Sequence, residues 1–393
     1  MTTSIPTLST VRVSRKGADR FLSGHPWIYS SDVADRGKAE PGDVVRVTDA
    51  GGRFLGTAHF SSTSQITLRM LSHRLEPVDG SFYRKRLEAA LEHRRAVVQD
   101  SDAFRLVHAE GDLLPGLIVD KYGEYLVIQT LNQGMDRAKD LILESLEAMF
   151  SPSAIVARND VSVRAHESLP LEAGIVRGTV KGPVPIQMNG LHLEADLLGG
   201  QKTGVFLDQR ENYQAAAGYA HGMALDAFTA TGGFALHLAR HCTSVEAVDS
   251  SEEALRTAAA NRARNQFDNV SFREANVFDL LPQYLAANRR FGTIVLDPPA
   301  FTKSRTNIDS AARGYKEINL RALRLLEPGG VLITCSCSHH FSEAMLLETV
   351  AAAALDAGRT LRVLERRTQA KDHPILLTVP ETHYLKCLMM QVL

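Results

Sequence analysis

The chain has 393 residues, 44% of them hydrophobic and 23% charged, with a formal net charge of −1. That length exceeds one ordinary domain and suggests two or three, at roughly 150 residues each, while the composition is globular. Near-neutrality excludes a global basic field for nucleic acid, so any such attraction must come from a local patch. Four cysteines are too few for a disulfide scaffold and point to a reduced, cytosolic setting. Met1 opens a polar segment without a targeting signal, and no apolar run approaches the roughly 20 residues of a membrane span. The expectation is a soluble, cytoplasmic protein with no membrane partner.

Residues from about 10 to 75 alternate in the manner of strands, as in VVRV, RFLGTAHF and QITLRML, with PGD and AGG as turns. This β-rich module, drawn as 9–78, carries 10 Lys+Arg against 6 Asp+Glu between Val11 and Arg74, a local excess of +4. Its SGHPWIYSS segment holds the single tryptophan, Trp27. Mild basicity with an exposed aromatic suits RNA, gripped through phosphates and stacked bases; a solvated face over a core tryptophan is the competing reading. The next stretch, 79–195, reads as α+β. FYRKRLEAALEHRRAVVQ and DRAKDLILESLEAMF are helical in their spacing, and RLVHAEGDLLPGLIVDKYGEYLVIQTL, AIVAR and LHLEADL read as strands.

From about 196 to 393 strand and helix alternate: MALDAF, GGFALHLARH, VEAVD, EEALRTAAANRARNQ, VSFREAN, TIVLD, RALRLLE, VLITCSC. Alternation of this kind predicts a doubly wound parallel sheet with helices on both faces, whose ligands lie beyond the carboxyl ends of the strands. The first strand ends in Asp226-Ala227-Phe228-Thr229-Ala230-Thr231-Gly232-Gly233. Glycines there allow close approach of backbone to a ligand as a helix starts. The second strand closes at Asp249-Ser250, where a carboxylate can accept the ribose hydroxyls of a nucleoside. The third ends in Asn276-Val277, which could read an adenine edge or simply cap the following helix. The fourth ends in Asp297-Pro298-Pro299-Ala300-Phe301, a stiff, donor-poor loop that holds an acid and presents an aromatic. Methyltransferases acting on amino groups or nucleobases use such a loop to hold a flat base beside a sulfonium. The last apolar strand runs into Cys335-Ser336-Cys337-Ser338-His339-His340. On a strand the two thiols would share a face, as structural hydrophobes or as a nucleophile beside its neighbour.

With these motifs in view, the C-terminal half resembles a class I S-adenosylmethionine-dependent methyltransferase with a Rossmann-like domain. More narrowly, the chain resembles the bacterial large-subunit (23S) ribosomal RNA 5-methylcytosine methyltransferase family, which carries an N-terminal PUA domain. HPWIYS, RLVHAEGDLLPGLIVDKYG, KTGVFLDQR, TGGF, LDPPAF, SCS, DHP and YLK carry the resemblance over nearly the full length. It implies a PUA module, a central α+β connector and a catalytic domain using S-adenosylmethionine, with RNA as partner and no metal; a homodimer stays open. It also implies that Cys337 is the nucleophile, attacking C6 of cytosine so that C5 becomes enamine-like and takes the methyl group. Asp297 would then bond the N3/N4 edge of the base. The base that removes the C5 proton is not identified: water, Asp297 and a neighbouring side chain all qualify. Asp208-Gln209-Arg210 would lie against the cofactor pocket, although Asp208 would also serve as a helix cap. Asn276 stands where an acid is common, and Ala230 where a bulkier residue is often found. Cys335 reads as a buried hydrophobe, with a Cys335–Cys337 disulfide as the alternative. Rival readings are the same fold methylating a purine nitrogen of ribosomal RNA, and an RNA-binding assembly factor with a vestigial cofactor site. A nicotinamide oxidoreductase fits poorly, because the glycine turn lacks its spacing.

Overall fold

The computed structural model describes residues 8–200, 203–302 and 305–393. Lys202, which opens KTGVFLDQR, lies outside the described residues, as does most of the polar N-terminal segment. The chain divides into two compact units. One comprises Met1–Ile186, Ala195–Val205 and Lys371–Thr382; the other comprises Gln187–Glu194, Phe206–Ala370 and His383–Leu393. Two short stretches of the region drawn as 196–393 therefore belong with the first unit.

The first unit begins with β1 (Thr10–Val13), α1 (Arg15–Leu22), β2 (Trp27–Tyr29), β3 (Val33–Asp35), β4 (Val44–Thr48), β5 (Phe54–Phe60) and β6 (Ile66–Ser72). The strands form one sheet in the order β2-β6-β5-β4-β1-β3. Alternation decides the buried face: in VVRV, Val45 and Val47 are fully buried while Val44 and Arg46 are not. Trp27 is half-buried, its indole N–H donating to Glu110 at 2.9 Å and its ring edge-on to His25.

α2 (Gly80–Val97), capped by Asp79 through the amides of Ser81 and Phe82, leads into a second sheet. Its strands are β7 (Ala103–His108), β8 (Leu117–Tyr122), β9 (Tyr125–Thr130), β10 (Ala154–Arg158) and β11 (Ala173–Gly178), in the order β11-β10-β9-β8-β7. The single helix expected over DRAKDLILESLEAMF is two, α3 (Gln133–Arg137) and α4 (Lys139–Phe150). Asn132 caps the first through Met135 N, starting the turn early, and Ala138 (φ −83°, ψ 0°) breaks the path between them. The middle motif supplies a buried ion network. Arg94, fully buried, forks onto Asp112 and also donates to the carbonyl of Asp372 at 2.7 Å. Arg105 forks onto Asp120 at 2.8 and 2.9 Å, and its backbone N–H donates to Asp372. Thr203 joins through Asp120 at 2.6 Å. DHP and RLVHAEGD thus tie distant stretches of chain into one unit. β12 (Val184–Met188) and β13 (Leu191–Ala195) pair across Asn189-Gly190, both at positive φ as a type I′ turn requires.

The second unit holds α5 (Arg210–Tyr219), β14 (Met223–Ala227), α6 (Gly233–Leu238), β15 (Ser244–Asp249), α7 (Glu252–Arg264), β16 (Val270–Glu274), α8 (Val277–Ala286) and β17 (Phe291–Leu296). α9 (Ile308–Leu325), β18 (Leu326–Ser336), α10 (Glu343–Ala357), β19 (Leu361–Arg367) and β20 (Lys386–Val392) complete it. The sheet order is β16-β15-β14-β17-β18-β20-β19. β14 to β18 run parallel, and β20 inserts antiparallel between β18 and β19. The doubly wound reading holds, with an antiparallel edge the sequence pattern does not reveal. β14 is flanked by β15 and β17, so the order reverses beside it, and the crevice at such a switch point is where ligands bind.

Two local expectations need correction. RALRLLE is the end of a longer helix, α9, that begins at Ile308. The last apolar strand stops at Ser336, so Cys337 is a loop residue and does not share a strand face with Cys335.

Removing the Arg94 charge strands buried Asp112 without a counter-ion. Arg94→Met is expected to cost about 3–5 kcal/mol of stability, read as a lowered urea midpoint; an unchanged midpoint would show the network to be dispensable.

Candidate active site

At the carboxyl end of β14 the backbone turns sharply. Phe228 (φ +68°) and Ala230 (φ +49°) sit in the left-handed region that non-glycine residues avoid, followed by Gly232 at +90°. Carboxylates hold this shape. Asp226, fully buried, accepts from the Thr229 hydroxyl at 2.6 Å and the Ala235 N–H at 2.8 Å. Asp249 accepts from the Ala230 N–H with one oxygen and the Ser251 N–H with the other, both at 2.9 Å. Gly233 is required for space: a Cβ there would lie 2.4 Å from the Tyr213 ring. Thr231 and Gly233 are half-buried, and Ser250 is exposed.

Asn276 caps α8, its side-chain oxygen accepting the Phe278 N–H at 2.9 Å, and the neighbouring Val277 is buried. That is the capping arrangement weighed against an adenine contact, and it leaves the amide nitrogen outside the cap. Arg210 is 1% exposed, its backbone carbonyl accepting from Asn189.

Beyond β17, Pro298 is buried and Asp297 is half-buried, accepting from the Gln209 amide at 2.9 Å. Gln209 in turn accepts from Asn212 at 2.7 Å and bonds the Cys335 thiol. Asp208 accepts from the Tyr384 hydroxyl at 2.7 Å, so DQR is laced to the sheet's C-terminal end on both sides. Phe301 packs on Tyr315, ring centroids 4.5 Å apart, and Tyr315 stacks on Phe341 at 4.9 Å.

The Tyr315 hydroxyl reaches the thiol loop. It bonds Ser336 Oγ at 2.8 Å and Ser338 Oγ at 3.0 Å, all three side chains being fully buried. The serines on either side of Cys337 are therefore clamped to one phenol, while Cys337 alone among the four cysteines is partly accessible. Cys335 is sealed in the sheet opposite Cys387, its free thiol hydrogen-bonded to the free thiol of that residue. Burial, that bond and the Asp297 charge push the Cys335 thiol well up, so it stays protonated. The hydrophobe reading of Cys335 fits; its thiol partner is Cys387, and a Cys335–Cys337 disulfide loses its strand geometry. Lys386, from YLK, is buried under the same loop and donates to the Ser338 carbonyl at 2.7 Å.

The arrangement brings together the β14 turn, Asp249, Asp297 and Gln209 around the switch point, with Cys337 at the end of β18. Tyr315 and Lys386, which bond the loop carrying Cys337, are not among the residues the sequence singles out. YLK was visible as a motif, but Tyr315 lies in an unremarkable helical run.

The donor set fits a nucleoside-bearing sulfonium: an acid for ribose at the end of β15, and a glycine turn with an aromatic beside it. A methyltransferase domain matches residues 220–376, and a PUA-like domain residues 11–73. Two solved structures share the fold over 98% of this chain and 100% of theirs. One is described as an S-adenosylmethionine-dependent methyltransferase from Streptococcus mutans (TM-score 0.83, 19% identity). The other is described as a methyltransferase complexed with S-adenosylhomocysteine (TM-score 0.84, 18% identity). Fold and site thus define a class I S-adenosylmethionine-dependent methyltransferase with an N-terminal PUA-like domain. The ribosomal RNA large subunit methyltransferase I of Shewanella denitrificans is 39% identical over 394 residues, covering 97% of this chain and 99% of that protein. The chain belongs to the ribosomal RNA large subunit methyltransferase I family.

Burial raises the Asp226 carboxyl to about 7, with the Asp249 charge adding to it. Folded Asp226 binds its proton more tightly than the unfolded chain does. Its contribution to stability is therefore full below the ordinary carboxyl range and is lost as the pH rises through about 7. Asp226→Asn keeps an acceptor for Thr229 and Ala235 without the charge. Thermal melts at pH 5, 6.5 and 8 are expected to show a shallower loss of stability in the variant; equal slopes would remove Asp226 as the cause.

Proposed function

We propose that this protein methylates C5 of a cytosine in large-subunit ribosomal RNA through a covalent adduct between Cys337 and C6. The observation that carries the reading is the clamped, partly exposed Cys337 at the carboxyl end of β18, in the same unit as the Asp297 loop and the β14 turn. Membership of a family named for large-subunit ribosomal RNA supports the substrate, and the PUA-like domain supports RNA as partner. Asp249 and Ser250 would hold the ribose, with Asn276 and Val277 beside the adenine. Phe228, Thr231, Gly232 and Gly233 would face the methionine end, and Asp208, Gln209, Arg210 and Asp226 would support the pocket. S-adenosylmethionine supplies an electrophilic methyl group when bound.

In this scheme the target base is unpaired or flipped out, Asp297 holds its edge, and Asp297 and Pro298 also border the cofactor. Gln209, bonded to Asp297, fixes that carboxylate's direction. The Cys337 thiol loses its proton to water, and the thiolate forms an S–C6 bond. The C5=C6 pair moves onto C5, which takes the methyl group. The C5 proton then passes to a base, its C–H pair re-forms C5=C6, the S–C6 bond breaks and Cys337 leaves as thiolate. Methylation of a purine nitrogen, the rival on the same fold, gives Cys337 no task.

Cys337→Ala is expected to cut turnover by on the order of 10³-fold or more, the scale of losing a nucleophile, with S-adenosylmethionine binding unchanged by calorimetry. Nucleoside mass analysis of ribosomal RNA treated with the wild type should reveal 5-methylcytosine. Full methylation by the variant, or a methylated purine as product, would overturn the reading.

A further inference from the structure

Lys386 opens β20 opposite Ser336 in the antiparallel register. Its residue is 4% exposed, and Nζ donates to two backbone carbonyls, Ser338 at 2.7 Å and Tyr384 at 2.8 Å. Ser338 directly follows Cys337, so a buried ammonium is fastened to the same short loop as the thiol. Among the described residues no carboxylate lies within 4.0 Å of this nitrogen. A buried cation without an acid beside it is costly, and two carbonyl dipoles do not supply a full negative charge.

Among the described residues packed around the loop, Lys386 is the buried cation bonded to it. From α9, Tyr315 is held neutral, its phenol raised by burial. Glu343, in the first turn of α10, is bonded by Arg366 of β19, and its charge also favours the Lys386 ammonium, though less than that of Cys337. Asp297, after β17, is bonded by Gln209. Cys335 is kept protonated and faces Cys387 on β20. His339 and His340 follow in the loop, the first exposed and the second half-buried.

We propose that Lys386 is a positioning residue that holds Cys337 as a thiolate for attack on the pyrimidine and stabilises it again when it is expelled. The inference rests on Cys337 being the nucleophile and adds what readies it. Burial lowers the Lys386 ammonium to about 8, and the nearby Cys337 charge is the largest influence opposing that fall. Below about pH 8 the side chain is therefore cationic, as the role requires. No proton passes between the two residues: the thiol proton leaves to water and Lys386 keeps its own. An ammonium near a thiol is a general way of lowering its pKa.

The test is the pH dependence of iodoacetamide alkylation of Cys337 in the full chain, without RNA or cofactor. Peptide mass spectrometry scores the other three thiols separately. In the wild type the midpoint is expected below the ~8.5 of a free cysteine. Lys386→Met should raise it by about one unit, slowing alkylation at neutral pH roughly tenfold, and Lys386→Arg should bring it back down. A wild-type midpoint at or above ~8.5 overturns the proposal without any variant. An unchanged midpoint in a folded Lys386→Met does so too, and is the result a purely structural lysine would give. Because the assay involves no methyl transfer, it can fail while Cys337→Ala still abolishes turnover. Equally, a methylating Cys337→Ala sinks the nucleophile assignment whatever the midpoint.

Discussion

One phenol governs the geometry of the site. Tyr315 sends its hydroxyl to the serines on both sides of Cys337, so the backbone at the end of β18 has two anchors within three residues. Its ring lies between Phe301 of the Asp-Pro-Pro loop and Phe341, which makes the loop that would hold the base and the loop that carries the thiol parts of one aromatic stack. Both serines and the tyrosine are fully buried, where an unmade hydrogen bond is expensive, so the three hydroxyls have strong reason to stay together. Ser-Cys-Ser is then a clamp that fixes the backbone on either side of a partly accessible thiol rather than three residues of similar purpose.

The cofactor side of the crevice shows a different economy of charge. Asp226 and Asp249 spend hydrogen bonds on backbone and hydroxyl groups of the β14 turn, holding Phe228 and Ala230 in conformations they would otherwise avoid. A carboxylate oxygen has more than one lone pair, so Asp249 can hold the turn and still accept a ribose hydroxyl. Gln209 links this side to the chemistry, bonding Asp297 through its nitrogen and Asn212 through its oxygen. That explains why DQR and DPP, nearly ninety residues apart in sequence, act as one element.

The first unit shows how motifs can be informative without being catalytic. RLVHAEGD and DHP stand out in the sequence, and their charged residues go into internal pairing: Asp112 with Arg94 of α2, Arg105 with Asp120 of β8, and Asp372 with Arg94 and the Arg105 backbone. Trp27, read as a stacking platform or a core residue, is neither fully; its indole nitrogen is engaged by Glu110.

Sequence alone determined the elements whose signal is local. The alternation of strand and helix marked the doubly wound sheet, the period-2 pattern marked the strands of the N-terminal module, and Asp249 and Asp297 could be picked out because each closes an apolar run, whereas the choice of Cys337 over Cys335 came from the family resemblance. Tertiary structure decided what depends on residues remote in the chain. Where β18 stops, and hence that Cys335 and Cys337 part company, is set by Tyr315 and by β20 pairing alongside. That Cys335 meets Cys387, and that Lys386 reaches the Ser338 carbonyl beside the thiol, follows from inserting the final strand antiparallel between β18 and β19. The physical reason is that periodicity reports which face of an element is buried, whereas a hydrogen bond across fifty residues reports only where the chain returns.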